Sequence, residues 1–348
     1  MSRNQAGQVR GEDLDYCYEA VGDVSRTFAL TVAELEEPMS RDICVGYLLC
    51  RVADTVEDAS HIPPEEQSAL LATYSEVLDP DSDTTIDQFR GEVAQWIPED
   101  PNADWDVVAS SPRVVRAFEG LDPASQRAIR PPVRELVDGM AMFVDRYADE
   151  GGLRLSTFEE LEEYCWYAAG TVGTLVTGLL SRNVDDSVRD TLQNNARSFA
   201  MLLQLVNVTK DVVADYEEEN NVYLPQELLE AEDLDVEDIP AEENSEAFVP
   251  VVTRVVDRAE SYLNGAQTWL EAMPEIRGNT LSAWAIPFLL AVGTLRELEE
   301  RPEDVIREGD VKVSRSEVHA LLQSFSAGND PDVADLRAKI RKRPIDEY

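Results

Sequence analysis

The sequence predicts an all-α protein. Apolar residues recur three and four positions apart through long blocks, alternating strand patterns of useful length are missing, and the breaks between blocks carry turn chemistry. Neither GxGxxG nor GxxxxGK[ST] occurs, so the common glycine-rich nucleotide loops are excluded. With 348 residues, 43% of them apolar, the chain can bury a sizeable core.

Residues 1–15 read as a polar tail, and Met1–Asp13 lacks the apolar run of a signal peptide. Tyr16–Leu35 and Ile43–Val56 are the first helical blocks, closed by Pro63-Pro64. Leu78–Pro112 is acidic and poorly patterned, as a surface connection would be. Pro131-Pro132 is expected to be a turn ahead of the block ending at Tyr147, and Gly151-Gly152 leads into Leu161–Leu180. Val188–Val213 precedes a second acidic connection, Glu217–Ser245. Val249–Leu270, Leu281–Leu298 and Val318–Phe325 complete one domain over 16–325, with roughly ten or more helices. Leu281–Leu295, too short to span a bilayer, reads as a buried core helix, as does Tyr164–Ser181. Residues 326–348 read as a C-terminal tail with the basic segment Arg337–Arg343.

Asp and Glu number 70 against 30 Lys and Arg, a net charge of −40, which excludes general affinity for nucleic acid. Lysine occurs only at 210, 312, 339 and 342. Such acidity with so little lysine fits a salt-loving cytoplasm, where repulsion is screened. The cysteines at 17, 44, 50 and 165 have no metal-finger spacing and read as buried, reduced thiols.

Two carboxylate clusters stand out. Asp54, Glu57 and Asp58 share one helical face, and the same stripe runs back through Arg51 and Tyr47. Gln204, Asn207, Asp211 and Asp215 form a polar stripe on an otherwise apolar helix, with Lys210 beside it. Two facing stripes of oxygen donors would suit Mg²⁺ shared with a substrate diphosphate, whereas acidic decoration of a solvated face would explain each cluster alone. The residues by themselves leave both readings open.

Four segments together resemble the squalene/phytoene synthases: Ser25-Arg26-Thr27-Phe28; Tyr47 to Asp58; Tyr164-Cys-Trp-Tyr167-Ala-Ala-Gly170-Thr-Val-Gly173; and Asn207 to Asp215 followed by Tyr223-Leu224-Pro225. The resemblance covers about residues 16 to 325 and implies an isoprenoid-synthase-like helical bundle with a central substrate tunnel. It departs from the family's second motif at Lys210, where arginine is usual, and at Ala214, where glutamate is usual. Ala285-Ile286-Pro287, Thr294-Leu295, Val311 to Arg315 and the Gly139-Met140-Ala141-x-Phe143 run are similar to the squalene synthase branch, which reduces its intermediate, rather than to phytoene synthases.

The resemblance implies the roles. Asp54, Asp58, Asp211 and Asp215 would hold Mg²⁺, and Arg26, Arg51, Glu57, Gln204 and Asn207 would bind diphosphate. Tyr164, the family's proton-abstracting tyrosine, and Tyr47 would be catalytic. Lys210, Lys312 and Arg315 would bind NADPH or NADH. Two farnesyl diphosphates would join head to head into presqualene diphosphate, then be reduced to squalene. The alternatives are a phytoene synthase using geranylgeranyl diphosphate without reductant, and a silent relative acting as a scaffold. Gly170 and Gly173 would leave room either for a prenyl chain or for close helix packing. A cytoplasmic monomer is expected, with peripheral membrane contact through Arg337–Arg343 or, alternatively, a helix C-terminus whose cations complement its dipole.

Overall fold

A computed structural model describes residues 3–309, 311–326 and 331–348, with side chains from residue 11 onward except those of 26 and 27. The helices group in two compact units, each discontinuous in sequence. The first comprises the described residues up to Asp149 together with Thr171–Val184 and Pro274–Thr280. The second comprises Glu150–Gly170, Asp185–Met273 and Leu281–Tyr348. Among the described residues no strand exceeds a single bridge, Arg154 to Val222.

The first unit opens with α1 (Arg3–Val24). The expected polar tail is therefore the start of a helix, clamped by Asp13: its buried carboxylate receives Arg113 Nε at 3.2 Å and Arg116 Nε at 2.9 Å. α2 (Arg26–Glu34) starts after Ser25, whose Oγ accepts the Phe28 N–H. α3 (Met39–Glu57) is buried along most of its length, and α4 (Pro64–Leu78) begins on a proline. The stretch expected to be irregular holds α5 (Ile86–Val93), α6 (Ala103–Ala109) and the start of α7 (Ser111–Glu119). Thr85 and Asn102 cap α5 and α6, and Phe89, Trp105 and Val108 bury them, so capping and a few anchors outweigh the acidic composition. α8 (Pro123–Arg146) runs straight through Pro131 and Pro132, the expected turn. Two prolines remove two helix bonds, and packing against α4 makes up the loss.

The chain passes through the second unit as α9 (Phe158–Cys165) and a π-helical turn, Trp166–Gly170, before returning as α10 (Thr171–Leu180). A polar knot joins these returning segments to the first unit. Ser125 Oγ lies 2.5 Å from Asp42 Oδ2 and 2.6 Å from Asp122 Oδ2. Arg182 donates to Ser125 and Asp122 at 2.8 Å each, and Arg277 lies 3.6 Å from both carboxylates.

The second unit continues with α11 (Asp186–Lys210), α12 (Val212–Ala214), a second π-helical turn (Asp215–Glu219), α13 (Gln226–Ala231), α14 (Ser245–Ser261) and α15 (Leu263–Glu271). α16 (Leu281–Glu300), α17 (Asp304–Arg307), α18 (Arg315–Phe325) and α19 (Val333–Ile340) complete it. Phe199, Trp269 and Trp284 cluster in its core, the first two tilted and Trp284 edge-on to both, with ring centroids 4.4 to 6.4 Å apart. Against the sequence expectation, α16 is long and apolar enough to cross a membrane, but 72% of its apolar window is buried.

Of the expected tail 326–348, α19 and the residues after it pack on α16, for a reason remote in sequence. Arg296, 1% exposed, makes a bidentate pair with Glu317 (3.0 and 2.9 Å) and donates to the Ile340 carbonyl (2.8 Å). The basic segment is drawn into the unit. Arg337 donates to Gln267 and Asn264, Lys339 pairs with Asp335, and Arg341 pairs with Glu260 and Glu299. Three of the cations expected to meet lipid thus have protein partners.

Candidate active site

In the first unit the sequence-predicted residues gather at the C-terminal half of α3. Tyr47, Arg51, Asp54 and Asp58 follow at helical spacing, and Glu57 is buried. Thr55 returns its hydroxyl to the Arg51 carbonyl at 2.8 Å, which spares the helix a polar side chain in its core. Phe28 stacks on Tyr47, centroids 3.9 Å apart and 17° from parallel, and so fixes the first turn of α2 against α3. Arg26 begins α2, but its side chain lies outside the described residues.

Electrostatically this helix end is short of positive charge. Burial pushes the Asp54 carboxyl up to about 6; Arg51 opposes the rise and Asp104 adds to it. Burial likewise raises Tyr47 to about 12, with Arg51 and a Ser25 hydrogen bond opposing and Asp54 adding. Arg51 is held by a partner that sequence reasoning missed: Asp104 on α6, 2.7 Å from Nε. Nothing local connects positions 51 and 104. Equally illegible was Gln67 on α4, whose Nε2 donates to the carbonyls of Val56 (3.0 Å), Glu57 (2.8 Å) and Ala59 (3.1 Å), capping the helix that carries the carboxylates.

In the second unit the helix under the expected stripe bends at Asp211, while Asp211 N–H still bonds the Asn207 carbonyl at 3.1 Å and Asp215 N–H the Asp211 carbonyl at 2.8 Å. α11 ends at Lys210, Asp211 caps it, and the backbone turns through α12 into the π-helical turn that starts at Asp215 and closes on left-handed Asn220 (φ 58°). Gln204 is half-buried and Asn207 exposed. Lys210 pairs with the neighbouring Asp211 carboxylate. Burial pushes Asp215 up to about 8; Glu219 and Asp211 reinforce the rise, Lys210 opposes it and Glu218 adds to it. Tyr164 is buried on α9, its hydroxyl 3.2 Å from that of Tyr223. Gly170 is explained by close packing, because a Cβ there would sit 2.3 Å from the Trp166 ring. Lys312 and Arg315 are exposed, and the loop leading to them rests on α12: a Cβ on Gly309 would lie 3.5 Å from that of Val213.

Both groups suit a hard divalent cation. Each offers carboxylate oxygens in excess of adjacent cations, and Asp54 and Asp215 carry charge that burial disfavours and a metal would stabilise. Among the described residues no three His, Cys, Asp or Glu side chains form a ready metal cage. Two carboxylates per group would leave most of an octahedron to water and substrate oxygens, which is the habit of Mg²⁺.

Comparison with known proteins gives this chemistry a family. The chain is 29% identical over 321 residues to the Botryococcus squalene synthase of Botryococcus braunii, covering 90% of this chain and 63% of that protein. It is 27% identical to squalene synthase 1 of Arabidopsis thaliana, covering 86% and 68%, and 27% identical to a presqualene diphosphate synthase of B. braunii, covering 87% and 71%. The chain thus spans about two thirds of the length of these relatives. A solved ligand complex of TcSQS superposes with a TM-score of 0.78 at 25% identity, covering 94% of this chain and 90% of the other. The helical fold is that of these isoprenoid synthases. The squalene/phytoene synthase family model matches residues 21–317, and the chain belongs to that family.

Proposed function

We propose that the protein joins two farnesyl diphosphates head to head into presqualene diphosphate and reduces that product to squalene with NADPH. The observation that carries this reading is that all four motif aspartates are present, each group on a helix end with excess negative charge, in a chain whose relatives include squalene synthases. Asp54 and Asp58, and Asp211 and Asp215, would hold Mg²⁺, which supplies neutralisation of charge on a departing diphosphate. Arg51, which Asp104 holds, would add a charge-assisted hydrogen bond to phosphate oxygens.

In the first half-reaction the C1–O bond of one substrate breaks, diphosphate leaves, and C1 joins the C2–C3 double bond of the second substrate. Loss of one proton closes the cyclopropane, and Tyr164 receives it. In the second, the remaining diphosphate leaves, the cation rearranges, and hydride quenches it. Such cations survive only away from water, so the prenyl chains would have to be held among apolar side chains. Lys312 and Arg315, exposed beyond the loop on α12, would meet the phosphates of the reductant.

The test is incubation with farnesyl diphosphate, Mg²⁺ and NADPH in molar salt, with products identified by mass spectrometry. Squalene supports the reading. Phytoene from geranylgeranyl diphosphate without reductant, or no product from either substrate, overturns it. Asp54→Asn and Asp211→Asn should stay folded and lose nearly all turnover, and chelation should abolish activity until Mg²⁺ is restored.

A further inference from the structure

The turn that carries Asp215 repels itself. Besides burial, Glu219, Asp211 and Glu218 disfavour charge on Asp215, with Lys210 opposing. Asp211, Asp215 and Glu219 follow at intervals of four residues, the spacing at which like charges on a helix destabilise it. The π-helical turn from Asp215 to Glu219 is itself a rare backbone form. Something outside the turn has to hold its end. Residues 151–155 do so. Leu153 N–H donates to Asn221 Oδ1 at 2.9 Å, Val222 N–H donates to the Leu153 carbonyl at 2.9 Å, and the single bridge pairs Arg154 with Val222.

Arg154 closes the grip. Its Nη1 donates to the Asn220 carbonyl at 2.5 Å and its Nη2 to Asn220 Oδ1 at 2.7 Å. The other end of that amide, Nδ2, donates to the Gly151 carbonyl at 2.8 Å. Guanidinium nitrogens only donate and carbonyl oxygens only accept, and an inverted Asn220 amide would set nitrogen against nitrogen and oxygen against oxygen. Burial disfavours the Arg154 charge, yet in a chain with 70 carboxylates these hydrogen bonds go to uncharged oxygens of one residue. That residue ends the turn. Asn220 is left-handed (φ 58°), its N–H reaches the Asp215 carbonyl, and the Asn221 N–H reaches the same carbonyl at 3.0 Å. Gly152 permits the approach, because a Cβ there would lie 2.0 Å from the Asn220 oxygen.

We infer that Arg154 is a positioning residue for the second metal group: by gripping both oxygens of Asn220 it fixes the end of the π-helical turn and holds Asp215 where it can share a divalent cation with Asp211. This rests on the metal role given to those aspartates above. Without the grip the repelling carboxylates spread, and an arriving cation has to gather them before it can bind. That ordering is a cost that a pre-formed turn avoids.

The test is a titration of the full chain with Mn²⁺ in molar salt, the free ion being read by electron paramagnetic resonance. Asp211→Asn identifies the binding component that belongs to this pair. Arg154→Met removes the donors and keeps the apolar stem, while Gly152→Ala drives the two segments apart from the other side. Each should weaken that component about tenfold and leave any remaining Mn²⁺ binding within about twofold. Arg154→Lys, with one ammonium in place of the fork, should fall between the parent and Arg154→Met. Should Arg154→Met fail to fold, Gly152→Ala and Arg154→Lys carry the same comparison. A lowered melting temperature with that affinity unchanged would make Arg154 a structural residue only and overturn the proposal. So would a parent with no Mn²⁺ component sensitive to Asp211. A parent that binds Mn²⁺ in this way but converts neither farnesyl nor geranylgeranyl diphosphate fails the proposed reaction alone, and the loss of affinity in the variants still upholds the positioning role.

Discussion

Gln67→Met isolates the amide that closes α3. Methionine nearly matches glutamine in volume, so the side chain is exchanged without a cavity while two N–H donors are lost. Three carbonyls share those donors, and one of them, Ala59, also receives the Ile62 N–H at 2.9 Å. The loss therefore falls on Val56 and Glu57, whose carbonyls lie in the last turn of α3, beyond reach of the helix's own N–H groups. A buried acceptor that loses its donor costs about 1–3 kcal/mol, and burying a thioether in place of an amide returns part of it. The expected net loss is about 2–4 kcal/mol, a large share of the ~5–15 kcal/mol typical of native proteins. Urea titration in molar salt should show the midpoint falling at unchanged slope. Gln67→Glu, which sets a carboxylate oxygen against the same carbonyls, should lose more. The same change should raise the Mg²⁺ concentration needed for half-maximal turnover, because Asp58, the C-cap of α3, lies between Glu57 and Ala59, whose carbonyls Gln67 holds. A loss below about 0.5 kcal/mol for Gln67→Met would refute the capping argument.

Other outcomes follow from the same contacts. Arg296→Met alone or Glu317→Gln alone should cost about 3–5 kcal/mol in thermal unfolding, because each strands a buried partner, while Arg296→Met with Glu317→Leu should recover much of it. Burial first, then Glu299, raises Glu260 to about 7, Arg341 opposing. Between its unfolded pKa near 4.5 and about 7 the native state holds the extra proton, so this contribution is complete below the window and lost as pH rises through it. Glu260→Gln should therefore gain stability over the parent at pH 8 and little near pH 4, by calorimetry. Lys312→Ala should leave presqualene diphosphate formation largely intact and slow its NADPH-dependent reduction, so that the intermediate accumulates in a time course; equal rates for both halves would exclude that role.

What the sequence made legible was local. The carboxylates of α3 announce themselves because 54, 57 and 58 are spaced by a helical turn, and the long apolar blocks could only be helices. Illegible features depend on partners far along the chain. Asp104 for Arg51, Gln67 for the end of α3, and Glu317 for Arg296 have no local signature. Composition misled at 78–112, where single caps outweigh acidity, and at Pro131-Pro132, where packing outweighs a helix breaker. The helix under the stripe through Asp211 and Asp215 bends at Asp211 and passes into a π-helical turn from Asp215 on, which no local residue announces.

The knot at Asp42 has a consequence for how the molecule is born. A ribosome releases Asp42 early, Arg182 midway and Arg277 late, yet all three meet in one unit. A nascent chain arrested before residue 274 holds an α3 whose buried carboxylate lacks one of its guanidinium neighbours, so the first unit cannot mature in order of synthesis. Its last segment arrives only after most of the second unit has been made. No single cut yields either unit as a contiguous fragment, and a stop between α15 and α16 ahead of Arg277 removes a cation from the knot that no later residue replaces.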